Sequence, residues 1–84
     1  MELALSIPES ILSALRIPDD QMEPELLKEL AVSLYQRGYL SFGKARELAQ
    51  MDYYQFATLL GERGVLRHYG PAELEDDLTY ARGQ

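Results

Sequence analysis

The sequence predicts a small, mostly helical domain that contains a helix-turn-helix and a minimal two-stranded β element. Three observations support this fold class. Two short helical patterns occupy the stretch from 41 to 65 and are separated by a break of only about three residues. A longer helical pattern precedes them, and short segments with period-two apolar spacing lie on either side of the helices. The 84 residues are enough for a single domain, 1–84, with a small core.

The N-terminal segment combines a predicted strand with a short helix. Apolar side chains alternate with small or polar ones over Leu3–Ile7, which is typical of a half-buried strand. Pro8 ends this strand and is expected to be the first residue of a helix. The apolar face of that helix consists of Ile11, Leu12 and Leu15.

The longest predicted helix runs from Pro24 to about Arg37, after a break at Pro18–Asp20. Glu25 near its start suits the helix dipole, and Gly38 provides the C-terminal stop. Its apolar stripe consists of Leu26, Leu27, Leu30, Ala31, Leu34 and Tyr35.

The helix-turn-helix core is expected at about 41–64. Ser41 caps the first helix, and Asp52 caps the second, where Gln55 completes a capping-box pattern. Gln50 lies where such a turn often has glycine, so the turn must accommodate a side chain. The apolar faces are Phe42, Ala45, Leu48 and Ala49 in the first helix and Tyr53, Phe56, Ala57 and Leu60 in the second. A helical hairpin in any small bundle would give a similar pattern.

Two further elements are predicted after the helix pair. Gly64 ends the second helix, and Val65–Tyr69 is expected to form a strand that pairs with Leu3–Ile7. An acidic C-terminal helix follows at about 71–82, with Leu74, Leu78 and Ala81 on one side. Tyr35 and Tyr53 lie on apolar stripes and are expected to be core residues. The centre of the core is predicted to consist of Leu30, Leu34, Phe42, Leu48, Phe56 and Leu60.

The charge of the chain is unevenly distributed. The net charge is −6, which argues against a protein that coats nucleic acid along its whole surface. Residues 1–36 have seven acidic and two basic side chains, a net −5, and residues 71–84 have a net −3. Residues 37–70 have five basic and three acidic side chains, a net +2, and this segment contains the predicted helix-turn-helix. A surplus of two charges also arises by chance in a chain this short.

Three polar side chains are expected to project from the second helix of the pair, away from its apolar stripe: Tyr54, Gln55 and Thr58. Gln pairs with adenine, Thr contacts a thymine methyl or a phosphate, and Tyr donates to phosphate oxygens. These residues are therefore the candidates for contact with a DNA major groove. Simple exposure to solvent, or packing of Tyr54 against a partner protein, explains the same pattern.

The sequence does not predict an enzyme, a metal site or a cofactor site. His68 is the single histidine and there is no cysteine, so nitrogen and sulfur ligands are lacking. The acidic cluster at 73–77 lacks the glycine-containing loop of a calcium site, and no serine has a base in a motif context. No apolar run approaches the roughly 20 residues of a membrane span, and no signal peptide is evident. The expected location is the cytoplasm.

The central stretch resembles a family of small uncharacterised prokaryotic proteins that are described as predicted helix-turn-helix antitoxins, often encoded beside a PIN-domain toxin. The matching positions are Ala31-Val32, Leu34-Tyr35, Gly38, Leu40-Ser41, Gly43-Lys44-Ala45, Leu48-Ala49, Phe56, Leu60 and Arg63-Gly64-Val65, with Leu74, Asp77 and Leu78 in the acidic tail. The resemblance implies a regulator that represses its own operon and silences a PIN-type ribonuclease.

The functional hypothesis is therefore a homodimeric, antitoxin-like protein that binds operator DNA. The expected DNA-binding residues are Tyr54, Gln55 and Thr58 for the groove and Arg37, Lys44, Arg46 and Arg67 for phosphates. Leu74, Asp77 and Leu78 are expected to bind the toxin, as the resemblance implies. The alternative is a protein-interaction module that does not touch DNA. Charge distinguishes the two hypotheses, because a dedicated DNA reader usually has a larger basic surplus than +2.

Overall fold

The computed structural model describes residues 1–67, and within that range the chain forms four α-helices and no β-strand. The helices are α1, Glu9–Ala14; α2, Met22–Gln36; α3, Phe42–Leu48; and α4, Tyr53–Glu62. A single 3₁₀ turn, Asp19–Gln21, leads into α2. The expectation of a mostly helical protein is confirmed.

The predicted two-stranded β element is not seen in the described part of the chain. Leu3–Ile7 has no regular secondary structure, and neither has the described start of the second predicted strand, Val65–Arg67. A strand is defined by backbone hydrogen bonds to a neighbour, and residues 1–67 provide no such neighbour for Leu3–Ile7. His68 and Tyr69, the predicted acidic helix at about 71–82, and the toxin-binding candidates Leu74, Asp77 and Leu78 lie outside the described residues.

Both prolines at helix starts occupy positions where no backbone N–H is needed. The sequence pattern predicted Pro8 as the first residue of α1, but Pro8 is the N-cap of this helix. α2 begins two residues earlier than predicted, at Met22, so Pro24 lies in its first turn. The amides of a first helical turn have no partner within the helix, and the missing N–H of proline therefore costs nothing there.

α2, α3 and α4 all end in the same backbone motif. The residue after each C-cap has a positive φ: +81° at Gly38, +59° at Gln50 and +68° at Gly64. In each case the next amide donates to a carbonyl five residues earlier, which is the Schellman pattern. These bonds are Tyr39 to Leu34, Met51 to Arg46 and Val65 to Leu60, each 2.9 Å. Gln50 thus adopts the left-handed backbone that glycine adopts at the other two ends, and the turn accommodates its side chain.

The core lies between the second half of α2 and the helices α3 and α4. Tyr35, Phe42 and Phe56 are fully buried and form its centre, with Tyr35 and Phe56 rings edge-on at 6.2 Å and Phe42 and Phe56 rings at 5.3 Å. The buried hydrophobic residues of the described chain are Ala31, Val32, Tyr35, Phe42, Ala45, Ala49, Phe56, Leu59 and Leu60. The predicted burial of Tyr35 is confirmed, whereas Tyr53 is half-buried.

The predicted core is correct in α4, half correct in α3 and wrong in α2. Three of its six members are buried: Phe42, Phe56 and Leu60. Leu34 and Leu48 are half-buried, and Leu30 is 36% exposed. Val32, which lay outside the predicted stripe, is buried instead. The apolar stripe of α2 extends beyond the part that is buried, and Ala31, Val32 and Tyr35 are its buried residues. None of the helices in the described part of the chain is long and apolar enough to cross a membrane.

Candidate nucleic-acid interface

The α3–α4 pair is held in place by side-chain caps at both helix starts. The Ser41 hydroxyl accepts from the Lys44 amide at 3.3 Å, so Ser41 caps α3 as predicted. At α4 the capping box is complete. The Asp52 carboxylate accepts from the Gln55 amide at 2.8 Å, and the Gln55 side chain accepts from the Asp52 amide at 2.9 Å. The two helices are joined by four residues, 49–52, a link as short as those of helix-turn-helix motifs.

α4 has two different faces. Phe56, Leu59 and Leu60 are buried on its inner face. Tyr54, Gln55 and Thr58 are exposed on its outer face and line one shallow depression together. The capping box fixes which residues begin the helix, and thereby fixes which side chains point outward. The three groove candidates are thus adjacent and accessible.

Gln55 has less free hydrogen-bonding capacity than the sequence suggested. Its Oε1 atom accepts from the Asp52 amide, so the oxygen already has one partner. Paired recognition of adenine requires an acceptor and a donor on the same amide. The Nε2 group of Gln55 is therefore its principal contribution to a DNA contact. The neighbouring Tyr54 ring is 66% exposed and stands edge-on to the Tyr53 ring at 5.5 Å.

Two of the predicted phosphate-binding residues are exposed. Lys44 forms an ion pair with Glu47 at 3.2 Å, with both side chains 70% exposed. An ion pair this exposed is worth about 0–1 kcal/mol, so a phosphate can compete for the lysine. Arg37 is exposed at the end of α2, with its guanidinium 5.3 Å from the centre of the Tyr39 ring. Lys44 and Glu47 line a second depression, next to the turn at Gln50.

The other two predicted phosphate-binding residues are only half-exposed. Arg46 is half-buried on α3. The Arg67 guanidinium lies 3.9 Å from the centre of the Phe42 ring and 5.5 Å from that of Tyr53, and it donates to the Tyr53 hydroxyl at 3.4 Å. Arg67 therefore stacks on the aromatic core. This contact has no local sequence signal, because Arg67 and Phe42 are far apart along the chain.

The depression formed by Tyr54, Gln55 and Thr58 also contains a basic residue, Lys28. The sequence pattern did not predict Lys28 at this surface. It lines that depression from α2 and pairs with Glu25 one turn earlier at 3.0 Å. The local sequence places Lys28 beside the apolar stripe of α2 but does not place α2 beside α4. Only the packing of the two helices brings it to this surface.

An ion pair ties the end of α4 to α2. The Arg63 guanidinium donates two hydrogen bonds to the Glu29 carboxylate, at 2.7 and 2.6 Å. These hydrogen bonds, helped by the positive charge of Arg63, lower the pKa of the Glu29 carboxyl below its ordinary value. The same hydrogen bonds raise the pKa of Arg63. Both side chains are about half exposed, so the pair orients α4 more than it stabilises the fold.

A second surface lies beside the N-terminal part of α2. We call it the N-terminal groove, an open groove of about 830 Å³ between the N-terminal segment and the first half of α2. Its lining residues are Glu2, Leu3, Leu5, Ile7, Asp19, Met22, Glu23, Leu26, Leu27 and Leu30. The lining is apolar with acidic residues and contains no lysine or arginine. Within residues 1–67, no three acidic or imidazole side chains come together in a way that could hold a metal ion.

Comparison with known proteins assigns the chain to a family. The model of the uncharacterised protein family UPF0175 matches residues 1–83, and the chain therefore belongs to this family. It is similar to a UPF0175 protein of Aeropyrum pernix, with 36% identity over 80 residues that cover 95% of this chain and 85% of the relative. The predicted membership of a family of small uncharacterised proteins is confirmed.

Two further relatives carry the same family name. The chain is 33% identical to a UPF0175 protein of Archaeoglobus fulgidus over 60 residues, 71% of this chain and 69% of the relative. It is 29% identical to one of Synechocystis over 58 residues, 69% of this chain and 65% of the relative. No solved structure gives a significant match. These names state no activity, ligand or partner.

Proposed function

We propose that this UPF0175 protein is an antitoxin-like DNA-binding regulator that represses its own operon and neutralises a PIN-type ribonuclease toxin. It acts as a homodimer in the cytoplasm, where its operator is found. α4 enters the major groove, and α3 supports it against the phosphate backbone. In a two-fold dimer the two copies of α4 would lie one turn of duplex apart, about 34–36 Å.

The observation that carries the proposal is the two-sidedness of α4. Its inner face is anchored in the core, and its outer face presents Tyr54, Gln55 and Thr58 to solvent. A recognition helix needs this division, because its base contacts have to be displayed on a rigid support. The short link from α3 and the complete capping box provide that support.

Backbone contacts are assigned to the exposed cations around the helix pair. Lys44 and Arg37 are accessible at the start of α3 and at the end of α2, and Lys28 lies beside the outer face of α4. Arg46 contributes in part, since it is half-buried. Arg67 is not included among the phosphate contacts, because its guanidinium packs on Phe42.

The toxin-neutralising half of the proposal rests on the family resemblance and on charge. Residues 71–84 have a net charge of −3, and Leu74, Asp77 and Leu78 combine apolar and acidic side chains. A segment of this composition suits a groove on a basic partner protein. The same charge repels phosphate, so the tail is assigned to the toxin and not to DNA.

The second candidate function is a protein-interaction module, and three observations favour it. The net charge is −6, Lys44 is paired with Glu47, and the Oε1 atom of Gln55 is engaged in the capping box. Each of these features reduces the attraction for phosphate or the capacity to read a base. In this case the outer face of α4 would bind another protein.

A matched pair of glutamine substitutions separates the two candidates. Gln55→Glu keeps an oxygen acceptor for the Asp52 amide but removes the amide donor and adds a negative charge on the outer face of α4. Gln21→Glu makes the same change at an exposed position in the 3₁₀ turn before α2, where no DNA contact is assigned. The readout is a mobility-shift titration on the DNA upstream of the gene, at low and moderate salt.

We expect Gln55→Glu to weaken operator binding by about tenfold or more, as loss of a base contact does, and Gln21→Glu to change it little. Circular dichroism should show both proteins folded. If both variants bind like the parent protein, or the parent does not shift its upstream DNA at all, the DNA-binding proposal is wrong and the interaction module is favoured.

Deletion of residues 71–84 tests the toxin half. DNA binding should persist or tighten, because a net charge of −3 is removed. Neutralisation of the co-expressed neighbouring gene product should be lost in a growth assay. Full neutralisation by the shortened protein would contradict the role of Leu74, Asp77 and Leu78. A neighbouring gene that encodes no toxic ribonuclease would contradict the antitoxin half as a whole.

A further inference from the structure

The capping box at the start of α4 fixes how the side-chain amide of Gln55 is turned. The backbone amide of Asp52 is a donor, so only the Oε1 atom of Gln55 can accept its hydrogen bond, at 2.9 Å. The backbone amide of Gln55 in turn donates to the Asp52 carboxylate at 2.8 Å. These two bonds hold Oε1 against the backbone at the helix start. Because Gln55 is exposed, its Nε2 group is accessible to a ligand with two N–H donors.

Gln55 also lies at the end of α4 from which a recognition helix contacts bases. It is the third residue of Tyr53–Glu62, and recognition helices contact base edges chiefly with their N-terminal residues. Tyr54 and Thr58 line the same depression of the outer face, and both are exposed. In the proposed complex with DNA, the Nε2 group of Gln55 is therefore directed to the floor of the major groove.

The purine bases differ in what they offer to such an amide. In the major groove guanine has two acceptors, O6 and N7, whereas adenine has the acceptor N7 and the donor N6. An amide whose Oε1 atom stays on the Asp52 backbone can donate both N–H groups of Nε2 to guanine. Paired recognition of adenine requires Oε1 and Nε2 to face the base together. The choice between the two purines is thus coupled to the capping box.

We propose that Gln55 recognises guanine through its Nε2 group, and that the capping box disfavours adenine at this position. Guanine leaves the bond between Oε1 and the Asp52 amide intact, whereas adenine requires α4 to release it. Asp52 is thus a positioning residue for specificity, because it acts on the base only through Gln55. The inference rests on the DNA binding in the proposed function and deepens it by naming the base that α4 selects.

The expected preference is moderate, because the capping box is at the surface. Asp52 and Gln55 are both exposed, so water can replace the bond to the Asp52 amide when Oε1 turns away. Loss of one N-terminal cap corresponds to about a three- to tenfold change in an equilibrium constant. Guanine should therefore be preferred to adenine by about this factor. Cytosine should be rejected more strongly, since its N4 group is a donor and offers Nε2 no acceptor.

Selection from a randomised library of duplex DNA tests the base preference without knowledge of the operator. The full-length parent should enrich guanine at the position that Gln55 contacts. Gln55→Glu keeps an oxygen for the Asp52 amide, but its second oxygen accepts instead of donating, so this variant should enrich cytosine there. The position is identified as the one where the two enriched sequences differ. Gln21→Glu, in the 3₁₀ turn, is the control and should keep the parental preference.

A matched pair of substitutions at Asp52 tests the role of the capping box. Asp52→Pro and Asp52→Ala both remove the carboxylate, but only proline also removes the N–H to which Oε1 is bonded. The φ of Asp52 is −79°, which proline adopts, and Pro8 already occupies the N-cap of α1. In mobility shifts on two duplexes that differ only at this base pair, Asp52→Pro should lower the preference for guanine over adenine by about three- to tenfold. Asp52→Ala should keep the parental ratio.

Three outcomes would overturn the inference and leave the DNA-binding proposal standing. These are enrichment of adenine where Gln55→Glu changes the preference, a parent and a Gln55→Glu variant that enrich the same sequence, or equal ratios for Asp52→Pro and Asp52→Ala. If circular dichroism shows Asp52→Pro unfolded, the library selection with Gln55→Glu decides alone. A folded parent protein that enriches no sequence refutes the DNA-binding proposal itself, and the inference falls with it.

Discussion

Residues 1–30 and residues 31–65 have comparable apolar patterns, but only the second region buries them. The buried hydrophobic residues of the described chain all lie between Ala31 and Leu60, whereas no side chain within residues 1–30 is buried. Leu3 and Leu5 repeat as regularly as the apolar residues of α4, yet they remain mostly exposed. We refer to residues 1–30 as the open region and to residues 31–65 as the packed region.

The difference shows that an amphipathic pattern becomes a core only where the chain provides the facing surface. In the packed region, the end of α2 faces α3 and α4, and short links keep the three helices together. The open region provides only the first half of α2 opposite the N-terminal segment, which leaves the N-terminal groove uncovered. The same pattern that becomes a core in one region therefore stays largely exposed in the other.

The sharpest test of this comparison is truncation of one apolar side chain in each region. Phe56→Ala should lower the free energy of unfolding by about 3–5 kcal/mol, because the ring is fully buried among Tyr35 and Phe42. A loss of this size can unfold so small a domain. Leu5→Ala should cost less than about 0.5 kcal/mol in dilute, monomeric protein. Urea unfolding measures both, and equal losses would contradict the distinction between the regions.

Removal of a helix cap should have the next largest effect. Asp52→Ala breaks the capping box of α4 and should cost about 0.5–2 kcal/mol. In the open region, α1 has no side-chain cap, so Ser10→Ala should change the stability of the monomer little. Thermal unfolding of the two variants provides the comparison. A larger loss for Ser10→Ala would show that α1 contributes more to the fold than its exposure indicates.

Replacing Gln50 or Gln36 with glycine should change the stability of the protein in opposite directions. Gln50 has a φ of +59°, so Gln50→Gly relieves an unfavourable backbone conformation and should stabilise the protein by about 1 kcal/mol. Gln36 is the last residue of α2, and Gln36→Gly should destabilise by up to about 1 kcal/mol. The midpoints of denaturant unfolding show whether each variant is more or less stable than the parent protein. Destabilisation by Gln50→Gly would mean that its side chain makes contacts that outweigh the backbone strain.

The smallest expected effect concerns Glu29, which joins the end of the open region to α4. Its pKa is lowered in the folded protein, so its stabilising contribution is present at neutral pH and is lost as the pH falls through the lowered pKa. Because the pair is about half exposed, the contribution should not exceed about 1 kcal/mol. Glu29→Gln should reduce the acid dependence of unfolding, whereas Glu23→Gln, on the exposed start of α2, should not. Equal acid dependence in all three proteins would refute this role.

The elements that could be predicted from sequence depend on neighbours along the chain. Ser41, Asp52, Gly38 and Gly64 mark helix ends, and the structure has helix ends at these residues. Caps and Schellman turns involve residues within five positions of one another, so the local sequence contains all the atoms that form them. The position of the turn at Gln50 could be recognised for the same reason, whereas the positive φ of this residue is a finding of the structure.

The elements that could not be predicted depend on which surfaces meet. Three features were not predicted: Val32 is buried where Leu30 was expected, Lys28 lies beside α4, and Arg67 stacks on Phe42. All three involve contacts between helices or between distant segments of the chain. Tyr54, Gln55 and Thr58 were identified as outward-facing because their position relative to the apolar face of α4 is a local property. Their proximity to Lys28 is not a local property, because it depends on how α2 packs beside α4.

The sequence by itself determined where the helices of the packed region begin and end and which side chains α4 turns outward. Hydrogen bonds that span at most five residues fix these features, and no other part of the chain has to be known. The tertiary structure decided which edge of α2 belongs to the core and which edge remains uncovered beside Leu3–Ile7. A wide apolar surface offers more than one way to pack, and the choice among them depends on the area that the whole chain can bury.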